Sequence, residues 1–159
     1  IFVRQLNGVV TCLKKAQALY VEKKYDETTL LNYRFYPDMF NFAKQVQSFT
    51  DHAARSSMLL SGKDGTQPAR DEKTLEALRE RIVKALAVVN SAQAADVDAH
   101  ADKDVTFPMG PRQVTMKGKE YMMHFAFPNF YFHATTAYDI IRQCGVEVGK
   151  RDFMGTPPA

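Results

Sequence analysis

The stretch His124-Phe125-Ala126-Phe127-Pro128-Asn129-Phe130-Tyr131-Phe132-His133 holds two of the chain's four histidines and five of its eighteen aromatic residues. Read as a helix, it has almost no polar side, so it must be covered on every face. Pro128 removes a backbone donor and clashes with the preceding turn, which predicts a kink or break near Phe127. Asn129 and His133 lie four apart and share one helical face. The surrounding pattern extends the helix from Gly118 to Cys144, where Gly145 stops it.

Working outward, three more helices are expected. Phe2, Leu6, Val9, Val10, Leu13, Ala16 and Leu19/Tyr20 recur at three-to-four spacing and predict a helix from Ile1 to about Lys24. Tyr25 to Tyr36 is a connection with a short apolar piece at Leu30-Leu31. Pro37-Asp38 reads as a second helix start, with proline at the first position and an acid in the first turn. Its stripe is Met39, Phe42, Val46, Phe49 and Ala53, continuing to Met58 and Leu59 and ending at Ser61-Gly62. The polar loop Lys63 to Arg70 (KDGTQPAR) follows. A third helix runs from about Asp71 to Asn90 on Leu75, Leu78, Ile82, Leu86 and Val89. Glu72, Glu76, Glu80, Arg79, Arg81 and Lys84 form its solvated face, with Glu80 and Lys84 able to pair at i,i+4. Ala94 to Lys103 reads as a loop with a solvated His100. Val105-Thr106-Phe107 and Gln113-Val114-Thr115-Met116 flank Pro108-Met109-Gly110-Pro111, a hairpin signal.

One domain of 159 residues with a single core follows, all-α, a four-helix bundle with a small β-hairpin before the last helix. The final six or so residues, ending Pro-Pro-Ala, are expected to be mobile. The net charge is +3 and no Lys/Arg block occurs, which argues against nucleic-acid binding. No apolar run is long enough for a membrane span. Cys12 and Cys144 read as two reduced thiols, and the expected location is cytoplasmic. The chain opens at Ile1, without Met and inside a helical pattern, so a short preceding segment, with any targeting signal in it, is expected.

Several segments together resemble a family of uncharacterised domains in the DinB/YfiT-like metalloenzyme superfamily. They are Tyr36 to Phe40, Gln45-Val-Gln-Ser-Phe-Thr-Asp-His52, the acid-rich third helix, Met123 to Tyr138, and Gly149-Lys-Arg-Asp-Phe153. The resemblance covers nearly the whole chain. It implies a bundle in which one histidine of the second helix and two, four apart, in the last helix hold a divalent metal. Relatives include thiol-cofactor-dependent isomerases and transferases.

Carried over residue by residue, the ligand positions fall on His52, Asn129 and His133. Zinc or nickel would suit three imidazoles, but Asn129 offers only an amide oxygen, so the site is reduced. His124 and Glu120, an i,i+4 pair, are the substitutes. His124 lies nine residues before His133, half a circle away in a regular helix, and needs the Pro128 kink to approach it. The competing reading has no metal: His52 and His133 hydrogen-bond each other, Asn129, Asp51 or Tyr138 as neutral core histidines. Any chemistry would be transfer or hydrolysis of a small molecule. The alternative is a non-enzymatic binding or structural protein, a homodimer with an aromatic-lined apolar cleft for a small-molecule ligand or for nothing. The apolar last helix favours a homodimer in either case, its rival being burial of those rings under the hairpin.

Overall fold

A computed structural model describes residues 1–156. It is mostly helical, with one two-stranded antiparallel sheet. Helix α1 (Phe2–Lys23) buries Phe2, Leu6, Val9, Leu13, Ala16 and Tyr20, the stripe its spacing predicts, and closes on Lys24 in the left-handed conformation. The Leu30-Leu31 piece is itself a short helix, α2 (Glu27–Leu31). Asp26 caps it by accepting from the Thr28 backbone N–H, and both leucines are buried. Glu27 then accepts from the backbone N–H of Leu75 at 2.9 Å, tying this turn to a distant helix start.

The next two helices start later than the sequence suggests. Helix α3 (Phe42–Leu60) begins after Asn41, whose side chain accepts from the Lys44 N–H at 3.0 Å. A side-chain cap satisfies an orphan donor, which Pro37 cannot do. Helix α4 (Leu75–Asn90) begins after Thr74, which accepts from the Ala77 N–H at 3.0 Å. Residues 71–74 stay outside it because the Glu72 carboxylate is drawn to Arg81 (2.6 Å) and Gln47 (2.7 Å). Arg81 is only 4% exposed and does not belong to a solvated face. On the outer face Glu76 pairs with Arg79; among the described residues Glu80 and Lys84 form no ion pair.

Ala94–His100, expected as loop, is a short helix, α5. His100 is half-buried there, its Nδ1 2.7 Å from the Asp96 carbonyl. The hairpin is present as β1 (Asp104–Met109) and β2 (Arg112–Lys117), paired so that Phe107 faces Val114. It covers part of the last helical segment: the Phe107 ring lies 4.6 Å from Tyr121 and 4.5 Å from Phe125.

That last segment is continuous, and its irregularity is specific. Helix α6 (Gly118–Tyr121) runs into a π-helical turn, Met122–Ala126, and then into helix α7 (Phe127–Gln143). Phe127 N–H reaches back five residues to the Met122 carbonyl. The extra residue in this turn accommodates Pro128 without a break, as π-bulges do. Phe130 is fully buried against Phe2 and Phe49, whereas Tyr131 (38%) and Phe132 (58%) are exposed.

Helix α3 packs against α4 and α7, and α1 packs against both of those. The C-terminal helix α8 (Lys150–Met154) lies on α1. Gln5 donates to the Phe153 carbonyl, Arg4 donates to the Met154 carbonyl, and Lys15 pairs with Asp152. A Cβ at Gly8 would collide with the Phe153 carbonyl oxygen, so only glycine admits this contact. Of the tail expected to be mobile, Met154 and Gly155 therefore rest on α1, and residues 157–159 lie outside the described residues. No helix of the described residues is long and apolar enough to cross a membrane.

Candidate functional site

Helix α3 carries a polar line on its inward side: Gln45, Ser48, His52 and Ser56, at steps of three and four residues. Gln45, Ser48 and Ser56 are at most 2% exposed, an arrangement apolar residues normally occupy. Ser56 is satisfied by the His52 carbonyl and by the Tyr121 hydroxyl at 3.1 Å. Gln45 donates to the Phe40 carbonyl at 3.1 Å and offers its Oε1 to His133 Nδ1 at 2.7 Å. Since the amide oxygen accepts, His133 Nδ1 carries the proton and Nε2 is left with its lone pair.

His52 and His133 do come together. Their ring centroids are 5.9 Å apart and nearly parallel, at 14°. Phe40 continues the column, 5.9 Å from His133 at 13°, and Phe125 sets its edge against His52 at 5.6 Å. The turn of residues 37–40, expected to be helical, is what delivers Phe40 to this stack. None of the hydrogen bonds expected of a plain core pair forms among the described residues; His133 uses Gln45 instead. The Nδ1 of His52 and the Oγ of Ser48 are buried and have no hydrogen-bond partner among the described residues. Such atoms are rare in folded proteins and commonly mark where a water, ion or ligand binds.

Burial pushes the His52 ring down to about 3, reinforced by His133, Arg55 and Arg70. Burial and then Arg70 push His133 down to about 4. Both rings are thus neutral at pH 7, the state that ligates metals and accepts protons. Asn129 is half-buried, one turn from His133 on the same face. Its amide nitrogen donates to the Phe125 carbonyl at 2.8 Å, which leaves Oδ1 as the free atom. His124 and Glu120 are both exposed and make no hydrogen bond or ion pair among the described residues.

The donor set is therefore one nitrogen of each ring plus the Asn129 oxygen. Two imidazoles sharing one ion have centroids about 5–6 Å apart at ordinary metal–nitrogen distances, the spacing seen here, but each ring must hold the ion in its own plane, which rings at 14° to each other do side by side and not face to face. The count is low: among the described residues no three His, Cys, Asp or Glu side chains converge on a metal position. So small a donor set excludes a closed structural site and would leave most positions on any ion to exogenous ligands.

Beside this pair lies a second polar cluster, which the sequence did not disclose. Arg81 donates to Thr50 (3.0 Å), to the Ala69 carbonyl (2.8 Å), to Glu72 (2.6 Å) and to Asp51 (2.5 Å). Arg70 also grips Asp51, at 2.8–2.9 Å. These contacts pin loop 63–74 across α3. A groove of about 750 Å³ between that loop, α3 and α4 is lined by Asp51, Glu72 and Arg81 but by neither imidazole. The thiols stay apart and free. Burial pushes Cys12 up to about 12 and raises Cys144 as well, so neither is a ready nucleophile.

No curated protein matches the chain. Its fold is similar to a crystal structure of a DinB family member protein from Shewanella denitrificans, with 36% identity and a TM-score of 0.89, covering 99% of this chain and 89% of that one. The model of the domain of unknown function DUF1993 matches residues 1–154. The chain is thus a member of the DUF1993 family, an uncharacterised DinB-like group.

Proposed function

We propose that this protein is a small-molecule transferase or hydrolase working at the His52–His133 pair. The scaffold is read as a four-helix bundle of the DinB/YfiT type, with α1, α3, α4 and α7 in a closed cycle of neighbours. The observation that carries the reading is the contrast within the pair. One ring is oriented by Gln45 so that Nε2 is free, and the other keeps a buried nitrogen without a protein partner. A core histidine pair with no other duty would satisfy those atoms internally.

His52, His133 and the Asn129 oxygen would hold a divalent ion, zinc or nickel, with the remaining positions open. Bound there, the ion supplies Lewis acidity toward a substrate oxygen or thiol. The chain's own part is to fix ring orientation through Gln45, to keep both imidazoles neutral by burial, and to exclude water with the Phe40 and Phe125 rings. With Nδ1 donating to Gln45, Nε2 is the one nitrogen that His133 would offer the ion.

Titrating metal-free protein with zinc or nickel tests this. One ion per chain is expected, with affinity lost at least tenfold in His52→Ala and in His133→Ala. Absence of stoichiometric uptake, or uptake indifferent to both substitutions, would remove the metal; unchanged turnover in both variants, once a substrate is in hand, would remove the site.

A second feature of the reading is a homodimer through the exposed rings of α7. Tyr131 and Phe132 stand out of the fold, and Phe40, stacked on His133, is 41% exposed as well. Phe132→Asp should convert a dimer to monomer in sedimentation velocity. A wild-type monomer at all concentrations would end the dimer and also the non-enzymatic, dimeric alternative.

A further inference from the structure

Arg55, Arg70 and Arg81 stand beside the imidazoles. Asp51 is committed to Arg70 and Arg81, and Glu72 to Arg81. Arg55 is the remainder. It sits one turn beyond His52 on α3 and is half-buried. Among the described residues no carboxylate lies within ion-pairing distance of it. Its one hydrogen bond runs from Nε to the neutral Gly65 carbonyl, at 3.3 Å. Loop 63–74 lies directly on its stem: a Cβ at Gly65 would come 2.9 Å from Arg55 Cγ and 3.0 Å from Leu59 Cγ. The guanidinium is therefore held by its stem and its Nε, and its two terminal nitrogens are uncommitted.

We propose that Arg55 anchors a carboxylate of the small molecule whose reacting end meets the His52–His133 pair. The proposal rests on the function proposed above only for where that reacting end lies. Two observations converge on it. Arg55 is half-buried and has no counter-charge among the described residues, and an incoming anion would supply one. The buried Ser48 hydroxyl, one turn before His52 and without a partner, supplies a neutral donor on the same line.

A carboxylate fits better than a phosphate. One uncompensated guanidinium matches one negative charge, and its planar fork matches a carboxylate in a bidentate pose.

The probe is acetate, with acetamide as its neutral isostere, added to metal-free protein while the side-chain resonances of His52 and the Arg55 Nε–H are followed by NMR. Saturable shifts with acetate and none with acetamide are expected. Arg55→Gln should weaken acetate binding at least tenfold, Arg55→Lys should restore part of it, and Arg34→Gln, on the exposed connection before α3, should change nothing. Acetate and acetamide acting alike, no saturable acetate response, or an Arg55→Gln variant that binds as the wild type does would each overturn the proposal. The wild-type comparison of the two probes stands even if a variant folds poorly. Because no metal is present, a failed metal titration and a failed acetate titration report on separate claims.

Discussion

Asp51 and His52 are consecutive residues on one helix, yet the clusters they belong to are built on opposite terms. The Asp51 cluster is closed. Arg81 places its donors on Thr50, Asp51, Glu72 and loop carbonyls, and Arg70 grips Asp51 from the outside. Burial works against the Arg81 charge, but the hydrogen bonds it donates to Asp51 and Glu72 outweigh burial and raise its pKa. The His52 cluster is open. It has two neutral rings, one bond to Gln45, and a nitrogen and a hydroxyl with no protein partner. The first arrangement holds a long loop on the helices. The second is left incomplete, as binding sites are when the missing partner is a ligand.

The largest effect should come from breaking the closed cluster. Asp51→Ala leaves Arg81 buried without one of its two carboxylates and frees Arg70. Removing one partner of a buried pair costs about 3–5 kcal/mol, because the other charge stays uncompensated. Urea unfolding should show this loss. A loss below about 1 kcal/mol would mean that the cluster behaves as a surface ion pair and that loop 63–74 is held by something else.

A smaller effect separates the clusters by pH. Both histidines have folded values below the unfolded one, so below about 6.5 the unfolded chain binds more protons than the folded chain. Stability of the metal-free protein should therefore fall as the pH is lowered from about 6.5 toward 4.5, by on the order of 2 kcal/mol for each histidine. Glu72 answers in a lower window. Burial pushes its carboxyl up, but bonds from Arg81 and Gln47 bring it net below the ordinary value. Its contribution is lost only as the pH falls below the ordinary glutamate range. Melts at pH 6.5 and 4.5 should show a fall that the His52→Leu/His133→Leu double variant largely abolishes. An undiminished fall in that variant would assign the acid sensitivity elsewhere.

The two clusters were also unequally legible. The approach of His52 and His133 could be expected from the Asn129/His133 spacing together with the resemblance of Gln45 to His52 and Met123 to Tyr138, because helical faces are local properties. Arg81 could not. It sits beside Leu78 and Ile82 on the apolar edge of α4, but a charged residue there reads as solvated until its partners are known, and those partners lie 30 residues back and in a loop. Gln45 and Ser48 are obscure in the sequence for a related reason. Each is a polar residue inside an apolar period, and its burial is set by α7, far along the chain. The late starts of α3 and α4 follow from caps at Asn41 and Thr74 that a proline and a run of acids obscured. The π-helical turn is a tertiary compromise around Pro128, where a kink was the simpler local expectation.

The smallest expected effect is the most discriminating, because it falls one residue from the largest. His52→Leu removes a half-buried imidazole whose Nδ1 has no partner to lose. Deleting a polar group that makes no internal hydrogen bond relieves a desolvation cost and leaves no orphan behind. A leucine of similar volume can keep the contacts to Phe125 and His133. The change in stability at pH 7 should therefore lie within about 1 kcal/mol of zero, with either sign, and lean toward stabilisation. Ligand or metal uptake should nonetheless disappear. Equilibrium unfolding and a zinc titration on the same variant read the two quantities separately. A loss of 3 kcal/mol or more, comparable with breaking a buried pair, would show that the imidazole is held by interactions the packing does not reveal, and the open cluster would then be structural like its neighbour.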